Sequence, residues 1–142
     1  MYQFSPTSLL RLATCHEDLQ LIFKVSILTS RIDFGIAEGH RSIGKQLEYF
    51  RAGKSKIDGV EKKGKHNYTP SMAVDIYAYY NGSAKWDKES LCYLAGHIIA
   101  VADQLFGEGQ VGFKIRWGGN WSNDGVIVHD QTFDDLPHFE LV

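Results

Sequence analysis

Lys65-His66-Asn67-Tyr68-Thr69-Pro70-Ser71-Met72-Ala73-Val74-Asp75-Ile76-Tyr77 sets a histidine and a carboxylate on either side of a short loop that opens into an apolar strand. The segment from Ala73 to Tyr80 reads as that strand, and a two-residue period places Ala73, Asp75 and Tyr77 on one face with Val74 and Ile76 on the other. Asp75 is the anomaly. An ionised carboxylate in so apolar a run is costly unless a partner, a proton or a metal compensates it. The second half of a site lies far downstream, in Asp134-Asp135-Leu136-Pro137-His138-Phe139-Glu140-Leu141, where Pro137 holds Leu136 extended and alternation puts His138 and Glu140 on one face.

The chain between and before these pieces alternates helix and strand. Ser5-Pro6 reads as an N-cap and first helical position leading into Ser8-Leu9-Leu10-Arg11-Leu12-Ala13. Residues 15–29 carry Leu19, Ile22, Phe23, Val25 and Ile27 at helical spacing. A short strand, Phe34 to Glu38, ends in the polar cluster Gly39-His40-Arg41-Ser42, and an amphipathic helix follows from Ile43 to Arg51, stopped by Gly53. Residues 54–65 hold five lysines and no sustained apolar pattern, which predicts a mobile, solvated surface segment without a binding role. Asn81-Gly82-Ser83 is a turn signal. The longest helix is predicted over 86–106 and ended by Gly107, a strand at Phe113-Lys114-Ile115-Arg116-Trp117, and the last strand over 137–142. With no internal repeat and no interior linker, the reading is one α+β domain spanning residues 1–142.

Composition narrows the class of function. With 44% hydrophobic and 23% charged residues and a formal net charge of −2, the chain has neither the excess of positive charge expected of a nucleic-acid binder nor that of a protein held on an anionic membrane. Cys15 and Cys92, each in a predicted helix, read as reduced, buried thiols, which fits a reducing compartment. Met1-Tyr2-Gln3-Phe4-Ser5-Pro6 lacks the basic and apolar regions of a signal peptide, and no apolar run approaches the roughly 18 residues of a membrane span. The expectation is synthesis in the cytoplasm without membrane insertion.

Two histidines and several carboxylates on strand-like pieces are enough for a zinc site. Catalytic zinc takes three protein ligands and leaves one position open for water. His66, Asp75 and His138 meet that count, with the loop histidines His40 and His129 in reserve; His16 and His97 lie in predicted helices and read as structural. Hydrolysis of an amide also needs a general base that later protonates the leaving amine. Asp135 is the favoured base, and Glu140 is either the alternative or the group that orients an imidazole. Arg41, at a strand end, could hold a substrate carboxylate or an oxyanion, or simply form an ion pair. The helix-borne HExxH motif, a Cys-x-x-Cys pair, a GxSxG elbow and a P-loop are all missing from the sequence. Gly118-Gly119 reads as a tight turn, or as a place where backbone approaches a groove closely.

The segments Gly64-Lys65-His66-Asn67 and Pro70-Ser71-Met72-Ala73-Val74-Asp75, with Asp135-Leu136-Pro137-His138-Phe139-Glu140-Leu141, resemble the two zinc motifs of the M15 family of D-Ala-D-Ala carboxypeptidase-like metallopeptidases. Within it, the sequence is most similar to bacteriophage endolysins that are L-alanyl-D-glutamate endopeptidases; Arg41-Ser42, Gln46, Gly53-Lys54-Ser55-Lys56 and Arg116-Trp117-Gly118-Gly119-Asn120-Trp121 follow in the order found in that group. The resemblance covers roughly residues 34–142. It implies a hedgehog/DD-peptidase-type fold, with a small antiparallel sheet flanked by helices. It also implies zinc ligands at His66, Asp75 and His138, a base at Asp135 and a substrate or transition-state contact at Arg41. The implied activity is zinc-dependent cleavage of the peptide stem of bacterial peptidoglycan by a monomer that reaches the wall from the host cytoplasm once a holin opens the membrane. Two departures stand out: Gly64 replaces a common serine, and Asp75 lies two residues further from His66 than in the commonest form. The longer loop bears on substrate preference. Rival readings are a D-Ala-D-Ala carboxypeptidase or dipeptidase of the same fold, a glycan-cleaving lysozyme-like hydrolase built on a carboxylate pair, and a metal-binding module without catalysis.

Overall fold

The computed structural model describes every residue except Asp130, Thr132 and Phe133. Four helices, α1 (Pro6–Leu12), α2 (Glu17–Thr29), α3 (Ile43–Arg51) and α4 (Lys88–Gly107), accompany five strands, β1 (Phe34–Glu38), β2 (Ala73–Tyr80), β3 (Ser83–Lys85), β4 (Ile115–Gly118) and β5 (Asp135–Leu141). The sheet runs β1-β2-β5-β4, antiparallel throughout, and β3 pairs with β2 beyond the point where β5 stops. This is the α+β architecture expected.

Alternation along the strands divides the sheet into two faces. Val74, Ile76, Ala78, Phe139, Leu141 and Ile115 are buried on the side that α2 and α4 cover, where Phe23 packs edge-on against Phe34 and Phe139. Asp75, His138, Glu140 and Arg116 occupy the other face. By length and composition α4 could cross a membrane, but Leu91, Leu94, Ala95, Ile98, Ala102 and Leu105 are buried in this core.

Several boundaries differ from expectation, each for a local reason. Helix α2 begins at Glu17 rather than 15, because His16 is its N-cap and accepts the Asp18 N–H at Nδ1 (3.0 Å). Cys15 therefore lies outside any helix, pairing with Ser71 in an isolated parallel bridge. Helix α4 starts at Lys88 rather than 86, after its N-cap Asp87, and runs through Gly107 to a left-handed Gly109 (φ +73°) that ends it. The Asn81-Gly82 turn has both residues at positive φ (52° and 78°) and closes a hairpin onto β3, a strand too short to show a period in the sequence. Strand β4 begins at Ile115 rather than Phe113, and β5 at Asp135 rather than Pro137, so that β5 passes through the proline. The largest difference concerns residues 54–65, read as solvated and mobile. They fold against α3 and form one wall of the principal cavity.

Candidate metal centre

Register explains why distant residues meet. Glu38 of β1, Asp75 of β2 and His138 of β5 stand in one cross-strand row, and Ala73, Glu140 and Arg116 stand in the next. Directly opposed residues have Cβ atoms about 4.5–5.5 Å apart, so each row brings its side chains into contact. His66 arrives from outside the sheet, on the single 3-10 turn Lys65–Asn67. That turn is fixed by the Arg41 N–H donating to the His66 carbonyl (2.8 Å) and by the Met72 N–H donating to the Lys65 carbonyl (2.9 Å). The remainder of the loop is anchored through buried Ser71, whose N–H donates to the Thr14 carbonyl and whose carbonyl accepts the His16 N–H.

Three side-chain atoms that could serve as metal ligands converge. His66 Nε2 lies 3.1 Å from Asp75 Oδ1 and 3.2 Å from His138 Nδ1, and His138 Nδ1 lies 3.0 Å from the same Oδ1. Tetrahedral coordination at bonds of about 2.0–2.1 Å places ligand atoms about 3.3 Å apart, so this triangle needs only a slight expansion around an ion. The outer ring nitrogens set which inner ones are available. His66 Nδ1 donates to the Gly39 carbonyl (2.7 Å), which can only accept, and His138 Nε2 donates to Glu140 Oε1 (2.9 Å). In the neutral rings the proton therefore sits outside, and Nε2 of His66 and Nδ1 of His138 present lone pairs to the centre. Among the described residues this is the one group of three or more His, Cys, Asp or Glu side chains that could hold a metal ion. His40 and His129 are exposed and stand apart from it, and His97 Nε2 hydrogen-bonds at the α2–α4 contact.

Electrostatics bind the cluster together. Burial raises the Asp75 carboxyl, but the imidazoles of His66 and His138 outweigh it and hold it well below the usual carboxylate range. Burial would lower His138, yet its hydrogen bonds to Asp75 and Glu140 prevail and push it up to about 10. Glu140 is desolvated too, and His138 and Arg116 still bring it down to about 2. Asp135 moves the other way: burial, then the charge of Asp75, raises it. Its Oδ2 lies 3.9 Å from His138 Nδ1, and its side chain is 36% exposed at the cavity. A carboxylate near the three ligand atoms, not hydrogen-bonded to them and with a raised affinity for a proton, suits proton transfer.

Arg41 is built into the site more firmly than a strand-end arginine suggests. Nε and Nη2 donate to Glu38, Nη1 donates to Gln46 Oε1 (2.9 Å), the guanidinium lies 4.5 Å over the Tyr49 ring, and Nη2 stands 3.6 Å from Asp75 Oδ2. Two of its five N–H bonds remain beyond those used. Glu38 and Tyr49 are site residues that the sequence reading did not single out, while Gln46 and Trp121, whose ring lies 5.5 Å from that of His138, entered it only through the resemblance and without a role. The available signal was Gln46, a polar residue on the inner side of α3 that is almost wholly buried.

Gly118 explains the Gly-rich turn after β4. A Cβ there would collide with the backbone carbonyl of Asp135, its partner across a register shift, so glycine lets β4 approach β5 where Asp135 emerges. The close approach is strand to strand.

Glu140 supports two neighbours at once, accepting from His138 Nε2 and from Arg116 Nη2 (2.7 Å). Glu140→Gln keeps the shape and removes the charge, and divalent-metal affinity is expected to fall about 10–100-fold. Competition with a fluorescent chelator measures it, and an unchanged affinity would mean that Glu140 has no hold on the ligand.

Comparison with known proteins follows the same lines. The chain is 26% identical to the L-alanyl-D-glutamate peptidase of Escherichia phage T5, over 99% of this chain and 98% of that one. It is 28% identical to the peptidoglycan L-alanyl-D-glutamate endopeptidase CwlK of Bacillus subtilis (strain 168), over 84% of this chain and 66% of that one. The fold superposes on the crystal structure of Serratia marcescens L-Ala D-Glu endopeptidase ChiX with a TM-score of 0.76 and 26% identity, covering 99% and 90% of the two chains. A family profile described as "Phage L-alanyl-D-glutamate peptidase" matches residues 1–142, the full length of the chain, which therefore belongs to that family.

Proposed function

We propose that this chain is a zinc-dependent endopeptidase that hydrolyses the L-Ala–D-Glu bond in the peptide stem of bacterial peptidoglycan. The observation that carries the reading is the triangle of His66 Nε2, Asp75 Oδ1 and His138 Nδ1, with sides of 3.0–3.2 Å, beside Asp135. Two imidazole nitrogens and one carboxylate at tetrahedral spacing suit zinc better than calcium or magnesium, which prefer more numerous oxygen ligands. When bound, zinc acts as a Lewis acid on the scissile carbonyl and lowers the pKa of water in its open position to about 7.

The protein's own groups supply the rest. Asp135 accepts the proton of the attacking water and delivers it to the departing amine of glutamate. Arg41 holds Asp75 in place through its charge, and its two remaining N–H bonds can serve the oxyanion of the tetrahedral intermediate or a substrate carboxylate. Glu140 keeps the proton of His138 on Nε2. The T5 relative is a phage protein, which supports the same setting here: a monomer made in the host cytoplasm that reaches the wall after a holin opens the membrane.

A defined muropeptide tests the activity. The expected product carries a new amine terminus on glutamate, and a chelator abolishes its formation. Release of free D-Ala, or new reducing ends that resist chelation, would overturn the proposal in favour of a carboxypeptidase or a lysozyme-like hydrolase.

Metal binding is also expected to depend on pH in a definite direction. His138, raised from 6.5 to about 10, stabilises the metal-free fold fully below pH 6.5 and loses that contribution as pH rises through about 10. His138 would have to give up its Nδ1 proton to hold a metal ion through that atom. Binding at pH 7 therefore releases about one proton, and apparent affinity climbs about tenfold per pH unit in this range. Calorimetry in buffers of differing ionisation enthalpy counts that proton, and a value of zero would contradict the assignment.

A further inference from the structure

The cavity is charged against the trend of the chain. The whole sequence has a formal net charge of −2, yet the cavity of about 610 Å³ is bounded by seven cationic side chains and three carboxylates. Five of the cations are the lysines of segment 54–65, whereas the acids, Asp75, Asp135 and Glu140, belong to β2 and β5. The other two cations, Arg41 and Arg116, stand beside these acids and pair with them, so the sheet side is mixed in charge while the loop wall is basic.

A lysine run that is merely solvated has no need of fixed geometry, and this one is held. Gln46, 2% exposed, donates from Nε2 to Ser55 Oγ (2.8 Å) and to the Ile57 carbonyl (2.6 Å), while its Oε1 receives Arg41. Asp58 Oδ1 gathers the N–H groups of Val60, Glu61 and Lys62. At the far end Asn67 Oδ1 accepts the Gly64 N–H (2.8 Å) and Asn67 Nδ2 donates to the Arg41 carbonyl (3.0 Å). The loop is thus fastened at both ends to Arg41, which touches the ligand Asp75. Lys54, Lys62, Lys63 and Lys65 form no ion pair among the described residues. Lys54 and Lys63 lie 5.9 and 4.8 Å from the ring centres of Tyr49 and Tyr68, contacts that leave ammonium N–H bonds available.

The substrate has the complementary group. A glutamate whose nitrogen is acylated by alanine carries two carboxyl groups, and when the peptide continues through one of them the other remains as a carboxylate or an amide. That group lies within a few bonds of the scissile nitrogen. On the sheet side Arg41 and Arg116 are already engaged by Glu38, Asp75 and Glu140, so the place for such an anion is the loop wall, whose Lys54, Lys62, Lys63 and Lys65 carry no ion pair among the described residues. Resting on the endopeptidase reading, we propose that the 54–65 wall binds the free carboxylate of the glutamate on the leaving-amine side, so that the enzyme prefers a glutamate stem to its amidated counterpart.

The test uses the zinc-loaded protein and two product-side peptides, D-glutamate joined through its side-chain carboxyl to lysine, with the α-carboxyl either free or amidated. Calorimetry on the wild type is expected to show the acid bound about tenfold tighter than the amide. At least one of Lys54→Gln, Lys62→Gln/Lys63→Gln and Lys65→Gln removes the difference by weakening the acid alone. With the corresponding full substrates the loss falls on KM rather than kcat. Lys114→Gln, outside the cavity, keeps the wild-type ratio. Equal affinities in the wild type, a ratio that survives in all three variants, or acid and amide weakened together, as in general attraction to an anionic polymer, would each overturn the inference. Cleavage of neither full substrate would refute the endopeptidase reading instead, and the ratio of peptide affinities would still decide the role of the wall.

Discussion

His138→Ala yields a protein that holds no zinc and does not cleave peptidoglycan. The change removes one corner of the ligand triangle and the partner of two carboxylates, Asp75 at 3.0 Å and Glu140 at 2.9 Å. Asp75 is left with His66 and the more distant Arg41, and Glu140 with Arg116 alone. Loss of an outer-layer partner costs about 10–100-fold in metal affinity, so loss of a ligand costs more than about 100-fold. Metal content after dialysis and turnover of a defined muropeptide should fall together. A thermal scan adds an independent check. A ligand at a hundred times its dissociation constant stabilises the native state by about 2.7 kcal/mol, so added zinc raises the melting temperature of the wild type and leaves that of the variant where it was. A variant that kept its metal would remove His138 from the site.

Asp135→Ala separates metal from chemistry. The side chain lies outside the triangle, 3.9 Å from His138 Nδ1, so zinc is retained. Strand β5 is undisturbed as well, because the tight contact with Gly118 is made chiefly by the Asp135 backbone. Without a group to take the proton of water and pass it to the amine, kcat falls about 10²–10⁴-fold. Asp135→Asn, which keeps size and hydrogen bonding, is expected to be as inactive. Full turnover in either variant would place the base elsewhere, and loss of zinc would make Asp135 a ligand.

Much of this was legible in the sequence, for physical reasons that differ from element to element. Strand β2 and helix α3 match their expected bounds because each carries its own period and its own terminators. Asp75 betrayed the site because a carboxylate in an apolar strand needs an explanation, and His138 shares its row because β2 and β5 pair with Asp75 opposite His138. Glu38 escaped notice because alternation groups it with Phe34 and Ile36, and only the register shift between Ile36 and Glu38 brings it opposite Asp75. The lysine segment keeps Lys54, Lys56, Lys62 and Lys63 exposed, as read, but its place against α3 was hidden because little inside it beyond Ser55 and the turn at Asp58 specifies order. Its geometry comes from Gln46 and Asn67, residues outside it whose amides are satisfied only in the folded protein. Gly118 was read as a tight turn or as an approach to a groove or ligand; the approach is instead to the backbone of Asp135, which is distant in sequence and invisible to any local pattern.

The hairpin joining β2 to β3 offers a practical handle. Asp75 sits near the start of β2 and the Asn81-Gly82 tip lies six residues further on, so at about 3.3 Å per residue the two are about 20 Å apart. Asn81, Gly82 and Ser83 are exposed, and none of them borders the cavity. A fluorophore, an affinity tag or a cell-wall-targeting module grafted at that tip would be carried on a rigid ribbon pointing away from the reacting bond, leaving hydrolysis intact.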